Sequence, residues 1–326
     1  MSPTHLITRV SILGTGLIGG SFALALRKFT EGVHITAWDR PDTVARAKEL
    51  GAADEIFSGE LKPAIHSADL IYVALPISTT LDVLPEIARH SPQHALVTDA
   101  CSTKVRIVRA AAELFLRNGE KRFLGGHPMA GKESSGIANA DANLFRDATY
   151  ALISESSSNV DDTLAVDEVA RESPPGGEPD PSSSAHRTPT VALKVDPRVS
   201  AFLRIIAKIG ARPLWLGAQQ HDYAVGLASH LPQLAAVALA SFLYDHLDEN
   251  GLPIAVAGPG LRDSLRLAGS PYSIWRDIVL TNKEVLSAGL DLLARRLDEL
   301  RDKLASRELE ADFDAANELY KLLRSF

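Results

Sequence analysis

Cysteine is almost absent: Cys101 is the one thiol in 326 residues. An intramolecular disulfide and a cysteine-rich zinc site are thereby excluded. No activating pattern surrounds Cys101, so packing is its expected role, and no metal site is expected. Positive charge is also short, with 34 Lys and Arg against 41 Asp and Glu and a net charge of −7. Nucleic acid is therefore not expected as a partner, because phosphate binding needs clustered cations. Long apolar runs are missing too. The best membrane candidate, 227–244, is interrupted by His230, Pro232 and Gln233, and reads as a buried helix rather than a span. The first five residues lack the basic-then-apolar pattern of a secretory leader, so a cytoplasmic location is expected. No fixed period repeats along the chain, which excludes solenoids and propellers.

The negative excess is concentrated. Residues 154–190 hold eight Asp or Glu against two Arg, with eight Ser, five Pro and no aromatic residue. Such a stretch cannot bury enough apolar surface to offset its ordering entropy. It reads as a disordered or loose acidic insertion, the alternative being a partner-binding tail.

Around this insertion the pattern is regular. Strand-like runs at 9–14, 34–39, 70–75, 95–99, 123–125 and 149–153 alternate with helical patterns at 21–28, 43–50, 79–88 and 103–116. A helix near 199–209 and a strand near 213–216 follow the insertion. Strands separated by helices of that length pair in parallel through right-handed crossovers, with helices on both faces. From Ala218 onward strand signals stop, and helices broken at Pro232, 251–253, 258–260 and 269–271 fill the rest. The length predicts about two domains: a dinucleotide-binding domain over 1–217 that carries the insertion, and a helical domain over 218–326. The last helix, read as 282–322, carries Leu286, Leu290, Leu293, Leu297, Leu300 and Leu304 at heptad spacing. Such a seam packs against a helix of the same chain or of a second subunit.

The stretch 14–19 reads G-T-G-L-I-G, follows the apolar run 10–13, and opens a helical pattern. In this context Gly14 permits a tight turn, Gly16 admits a diphosphate to the backbone, and Gly19 lets helix and strand pack closely. Leu17 and Ile18 stand in the first helical turn, whose free N–H groups and partial positive charge suit an anion. Asp39 ends the next strand 20 residues after Gly19, where a carboxylate accepts from ribose hydroxyls. It would repel a 2′-phosphate, which favours NAD, whereas the neighbouring Arg40 could pair with one and leaves NADP open. Pro76 ends another strand and is expected to shape the crevice near the nicotinamide. The chain thus reads as a Rossmann-type, doubly wound parallel α/β sheet followed by an all-α domain.

Chemistry-bearing residues cluster after two more strands and in the helical domain. His127 lies in G-G-H-P-M-A-G, too rich in small residues for a core, and imidazole suits proton transfer from an alcohol as hydride leaves. Ser102, in D-A-C-S-T-K, could hydrogen-bond the same hydroxyl or cap the helix that follows. Arg262 and Arg266, four apart on a helix, share a face where they could hold carboxylates. His230 stands in S-H-L-P.

These blocks together resemble the prephenate/arogenate dehydrogenase family of tyrosine biosynthesis. The resemblance rests on Asp99-x-x-Ser102-x-Lys104, the Gly-His-Pro-Met-Ala-Gly block 126–131 with Glu133 and Gly136, the block 229–232, and Arg262-Asp263-x-x-Arg266 ahead of Trp275-x-Asp277-Ile278. It implies an oxidative decarboxylation in which hydride leaves the ring carbinol carbon for NAD(P), the ring carboxylate leaves as CO2, and the ring becomes aromatic. By motif match, His127 would accept the 4-hydroxyl proton and Ser102 would orient that hydroxyl. Arg266 would bind a substrate carboxylate, with Arg262, Glu133 and His230 in the same substrate site. The resemblance also implies a homodimer through the helical domain, which moves the leucine seam toward an intersubunit role. Leu261 and Leu265 depart from the family's more usual Phe and Thr at that wall of the substrate site. Two other readings compete. A 3-hydroxyacid dehydrogenase would need a helical lysine followed by an asparagine, for which no convincing equivalent exists; a nucleotide-sensing module would bind NAD without turnover.

Overall fold

A computed structural model describes residues 6–117, 120–132, 134–154 and 196–325. Glu133 and the acidic stretch beyond Ser154 lie outside the described residues. The chain divides into two units, Met1–Asp222 with Ser270–Thr281, and Tyr223–Gly269 with Asn282–Phe326.

The first unit is built on one sheet of strands β1 (Arg9–Leu13), β2 (His34–Trp38), β3 (Glu55–Phe57), β4 (Leu70–Val73), β5 (Leu96–Asp99), β8 (Phe123–Pro128), β9 (Thr149–Ile153) and β10 (Arg212–Leu216). Their order is β10-β9-β8-β5-β4-β1-β2-β3. Strands β4 and β5 are buried at every position, as a sheet covered on both faces demands. Helix α1 (Leu17–Phe29) buries Gly19, Gly20, Ser21, Ala23 and Ala25. These small residues bring Phe22 against Tyr72 of β4, the rings stacked at 3.9 Å. Helices α2 (Pro41–Glu49), α3 (Lys62–Ile65), α4 (Ile77–His90) and α5 (Val105–Leu114) complete this half.

The expectation of uniformly parallel pairing fails at one place. β8 and β9 are antiparallel, and β9 then pairs in parallel with β10. Between β8 and β9 the described chain forms only the 3-10 turn Ile137–Asn139, and without a crossover helix the strand returns antiparallel. That connection lies on α1, where the Asp141 N–H donates to Ser21 Oγ at 2.9 Å. Helix α6 (Pro197–Lys208), capped by the Asp196 side chain, leads into β10. Two small elements went unread in the sequence: β3, and a hairpin of β6 (Leu116–Arg117) with β7 (Glu120–Lys121), which ends α5 earlier than periodicity implied. Elements of two or three residues are too short to show a period.

Helix α7 (Ala218–Val225) carries the chain toward the second unit, whose described residues form no strand. A π-turn, Gly226–His230, leads into α8 (Leu231–Asp245), followed by α9 (Leu252–Ala255), α10 (Pro259–Leu265) and a 3-10 turn, Arg266–Gly269. Gly226 permits a close helix approach, since a Cβ there would lie 2.6 Å from Val285 Cγ1. Helix α11 (Tyr272–Thr281) belongs to the first unit, and α12 (Lys283–Asp302) and α13 (Leu309–Ser325) to the second.

Two helix expectations are corrected here. Ala218–Asp245 is long and apolar enough to cross a membrane by length and composition, yet it is not a buried core helix, since 28% of its apolar window is buried. Val237, Phe242 and Tyr244 are exposed. The single long terminal helix is instead two, α12 and α13. Ser306 Oγ accepts from the Glu308 N–H at 3.3 Å between them, a local bond that competes with helix continuation. Leu304 therefore lies beyond α12. Leu286 is buried, whereas Leu290 and Leu297 are exposed in the single chain.

Candidate active site

Strands β1, β2, β4, β5 and β8 run parallel, so their carboxyl ends share one edge of the sheet. Ligands of open α/β sheets bind along this edge. Gly14 follows β1, Asp39 follows β2, Pro76 stands three residues beyond β4, Ser102 lies in the loop after β5, and His127 is near the end of β8.

The three motif glycines do different work. Gly14 has φ +89°, and a Cβ there would lie 2.4 Å from the Ala74 carbonyl oxygen. At Gly19 a Cβ would meet the Gly14 oxygen at 1.9 Å, whereas at Gly16 it would meet nothing within 4 Å. Gly16 is the N-cap of α1, and no side chain caps that helix and no acidic residue stands in its first turn. The first amide to bond back is that of Gly20, to Gly16 O at 2.9 Å. Leu17 and Ile18, both half-buried, thus open a helix with unpaired leading N–H groups, which attract an anion. Asp39 Oδ2 accepts from the Thr15 N–H at 2.7 Å, and Oδ1 from the Arg40 N–H at 2.7 Å. A carboxylate has about four acceptor sites, so capacity remains for ribose hydroxyls. Open space over Gly16, uncapped amides and the adjoining carboxylate fit a dinucleotide.

Pro76 is the N-cap of α4. The turn it begins is held by Asp277 of α11, whose Oδ2 accepts from both the N–H and the hydroxyl of Ser78, at 2.9 and 2.6 Å. Burial pushes the Asp277 carboxyl up, but the Ser78 donors and the Arg276 guanidinium together hold it below the usual carboxylate range.

The Ser102 loop and the His127 strand are joined by a buried ion pair. Asp99 and Lys104 both have fully buried side chains and pair directly. Lys104 Nζ also donates to Gly126 O at 2.6 Å. Asp99 accepts from the amides of Cys101 at 2.9 Å and Gly126 at 3.2 Å. Gly126 has no room for a Cβ, which would lie 2.7 Å from Asp99 O. Ser102 is half-buried and does not cap α5. That role falls to Asp222 of α7, which accepts from the amides of Lys104 at 2.7 Å and Val105 at 2.9 Å.

His127 is half-buried, and its backbone pairs with Ala151 of β9. Its Nδ1 lies 2.9 Å from Nε2 of His221, and His221 Nδ1 lies 2.8 Å from Asp222 Oδ1. His221 is fully buried and Asp222 nearly so. Sequence reasoning missed both residues, because side chains brought in from a helix 94 residues away follow no spacing rule. Cys101 is buried, and its thiol is pushed up out of the reactive range by burial and by Asp99. A cavity of about 390 Å³ elsewhere in this unit, lined by Val108, Phe115, Phe123 and Trp215 among others, contains none of the candidate residues.

In the second unit Arg262 lies on α10, and Arg266 is the C-cap of that helix, where bonding tightens into the 3-10 turn. Both are exposed. Gln233 Nε2 donates to Leu267 O at 2.8 Å, which ties the start of α8 to the turn bearing Arg266. His230 ends the π-turn and is buried, with Nδ1 3.2 Å from the Asn282 amide nitrogen. Among the described residues no group of three or more His, Cys, Asp or Glu could hold a metal ion.

Comparison with known proteins decides the family. Residues 22–172 match the family model for the prephenate dehydrogenase nucleotide-binding domain, and residues 217–324 the model for the prephenate dehydrogenase dimerization domain. Prephenate dehydrogenase of Lactococcus lactis subsp. cremoris is 32% identical over 305 residues, which are 93% of this chain and 73% of that protein. The chain belongs to the prephenate dehydrogenase family.

Solved structures of prephenate dehydrogenases share its fold. The Aquifex aeolicus enzyme, crystallised with hydroxyphenyl propionate and NAD+, matches with a TM-score of 0.77 at 25% identity, covering 99% of both chains. An arogenate dehydrogenase from Synechocystis matches with a TM-score of 0.65 at 26% identity, covering 98% of this chain and 97% of that one. Membership of the prephenate dehydrogenase family sets aside the 3-hydroxyacid dehydrogenase reading, and as an oxidoreductase the chain is not a nucleotide-sensing module alone. His230, Arg262 and Arg266 fall within the stretch matched by the dimerization-domain model, and His127 and Ser102 within that of the nucleotide-binding domain.

Proposed function

We propose that this enzyme converts prephenate to 4-hydroxyphenylpyruvate, or arogenate to tyrosine, by NAD-dependent oxidative decarboxylation in tyrosine biosynthesis. The observation that carries the reading is His127 at the carboxyl edge of the sheet, its ring backed by buried His221 and Asp222, in a chain of this family. When bound, NAD supplies the hydride acceptor; Gly14, Gly16, Leu17, Ile18 and Gly19 would receive its diphosphate, Asp39 its adenosine ribose, and Pro76 would wall the nicotinamide.

The protein's own work is positional and electrostatic. His127 takes the proton of the ring hydroxyl as the carbinol carbon is oxidised, and general-base assistance of this kind contributes about 100-fold to 10,000-fold. Ser102, on the loop bound to the same ion pair as Gly126, orients that hydroxyl. Arg266 and Arg262 hold carboxylate groups through charge-assisted hydrogen bonds, with Glu133 and His230 completing the substrate site. Aromatisation drives the decarboxylation, so accurate placement supplies most of what catalysis needs. The enzyme acts as a homodimer through its helical domain, in the cytoplasm, where a single buried thiol stays reduced.

Arg266→Ala tests the anion assignment. Loss of a charge-assisted bond to substrate raises KM about 10-fold or more, measured by steady-state formation of reduced cofactor. An unchanged KM would place the carboxylate elsewhere.

A further inference from the structure

We infer that His221 and Asp222 are positioning residues that fix the tautomer of His127, leaving its Nε2 as the proton-accepting nitrogen. The inference rests on His127 being the base of the proposed reaction, and it follows from donors and acceptors alone. Asp222 accepts from two backbone N–H groups at the start of α5, so it meets the ring of His221 as an acceptor as well. A carboxylate has no hydrogen to give; the hydrogen between Asp222 Oδ1 and His221 Nδ1 therefore sits on His221. A neutral imidazole carries one N–H, so His221 Nε2 is an acceptor. The 2.9 Å contact to His127 then requires the hydrogen on His127 Nδ1, and the lone pair of a neutral His127 is on Nε2.

The same chain suits the ring after the proton arrives. The substrate O–H bond breaks, an N–H bond forms at His127 Nε2, and the existing Nδ1–H bond to His221 remains in place. No hydrogen bond must reverse during the step, and the new charge faces a relay that ends in a carboxylate at a helix N-terminus. Preorganised partners of this kind lower a barrier because nothing reorients when charge develops. The two rings meet nitrogen to nitrogen at hydrogen-bond distance, which leaves no space for a metal ion between them. All four links lie in the first unit.

The test uses the full chain with its ten histidines labelled with nitrogen-15, without substrate, at a pH where imidazoles are neutral. The expected spectrum shows His127 protonated at Nδ1; a proton on Nε2 would overturn the inference. In Asp222→Asn, with the amide oxygen in the Oδ2 place, the Val105 N–H keeps its acceptor, while the NH2 takes the Oδ1 place, gives up the Lys104 N–H and donates to His221; each link is then reversed and the His127 proton moves to Nε2. That variant should lose about 100-fold or more in kcat, with KM and NAD affinity within about threefold. His221→Gln keeps an acceptor near the Nε2 position and His221→Leu does not, so Gln should retain at least about 10-fold more kcat than Leu at equal melting temperature. Equal losses in Gln and Leu, or an unchanged kcat in folded Asp222→Asn, would contradict the inference. Should Asp222→Asn fail to fold, the wild-type spectrum and the His221 pair decide. If the wild-type chain oxidises neither prephenate nor arogenate, the functional reading fails while the spectrum still decides the tautomer.

Discussion

A neutral histidine accepts a proton at whichever ring nitrogen lacks a hydrogen, the other nitrogen's partner sets which one that is, and at His127 that partner comes from 94 residues away. This is why the site was half legible in the sequence. Glycine roles are local: the positive φ at Gly14 and the 1.9 Å clash at Gly19 follow from a turn that six residues define. His221 and Asp222 have no such signature, because a pair of side chains brought in by a later helix leaves no spacing rule. The same holds for Asp99 and Lys104, whose motif was visible but whose pairing was not. Two outcomes belong at this scale. His127→Asn should reduce kcat about 100-fold or more while leaving cofactor affinity intact, read from initial rates and from calorimetric titration with NAD. Lys104→Met leaves Asp99 buried without its cation and should destabilise the fold by about 3–5 kcal/mol, measured by urea denaturation; a loss under about 1 kcal/mol would show the pair to be dispensable.

Among the elements, helix starts are where distant segments are joined. Asp222 of α7 caps α5, and Asp277 of α11 caps the turn that begins α4. The sequence Trp275-x-Asp277-Ile278 was recognisable as a motif, yet its contact lies 199 residues away at Ser78. Because the folded state holds the Asp277 carboxyl below its unfolded value, its contribution to stability is present above the ordinary carboxylate range. It is lost as pH falls through the depressed folded value. Asp277→Asn should therefore lower the unfolding free energy at neutral pH, and the gap from wild type should close as pH drops below the carboxylate range. Parallel chemical denaturation series over pH check this; a gap that widens toward acid would reverse the assignment. Element boundaries set by contacts were the least legible, as in α5 cut short by the β6–β7 hairpin and the terminal helix divided at Ser306.

For the molecule as a whole, apolar runs separated by helical patterns disclosed the parallel sheet because its central strands are buried on both faces, and the loss of that alternation after Ala218 disclosed the helical part. What periodicity could not disclose was the antiparallel return of β9 in the main sheet, which depends on a connection having no helix. Nor could it say what covers the helical unit, where Leu290, Leu297, Phe242 and Tyr244 are exposed in one chain. In a chain that matches a dimerization-domain model over residues 217–324, an exposed apolar face of this kind suits a subunit interface. Leu297→Glu should shift the protein from dimer toward monomer, measured by light scattering, and an unmoved mass would take that face out of the interface. The central claim meets its most direct test in one assay, with purified chain, prephenate and arogenate, each offered with NAD and with NADP. The account predicts NADH and CO2 formed in equal amounts from at least one substrate, with rates lost in His127→Asn. Absence of cofactor reduction with both substrates, or a rate indifferent to His127, would contradict it.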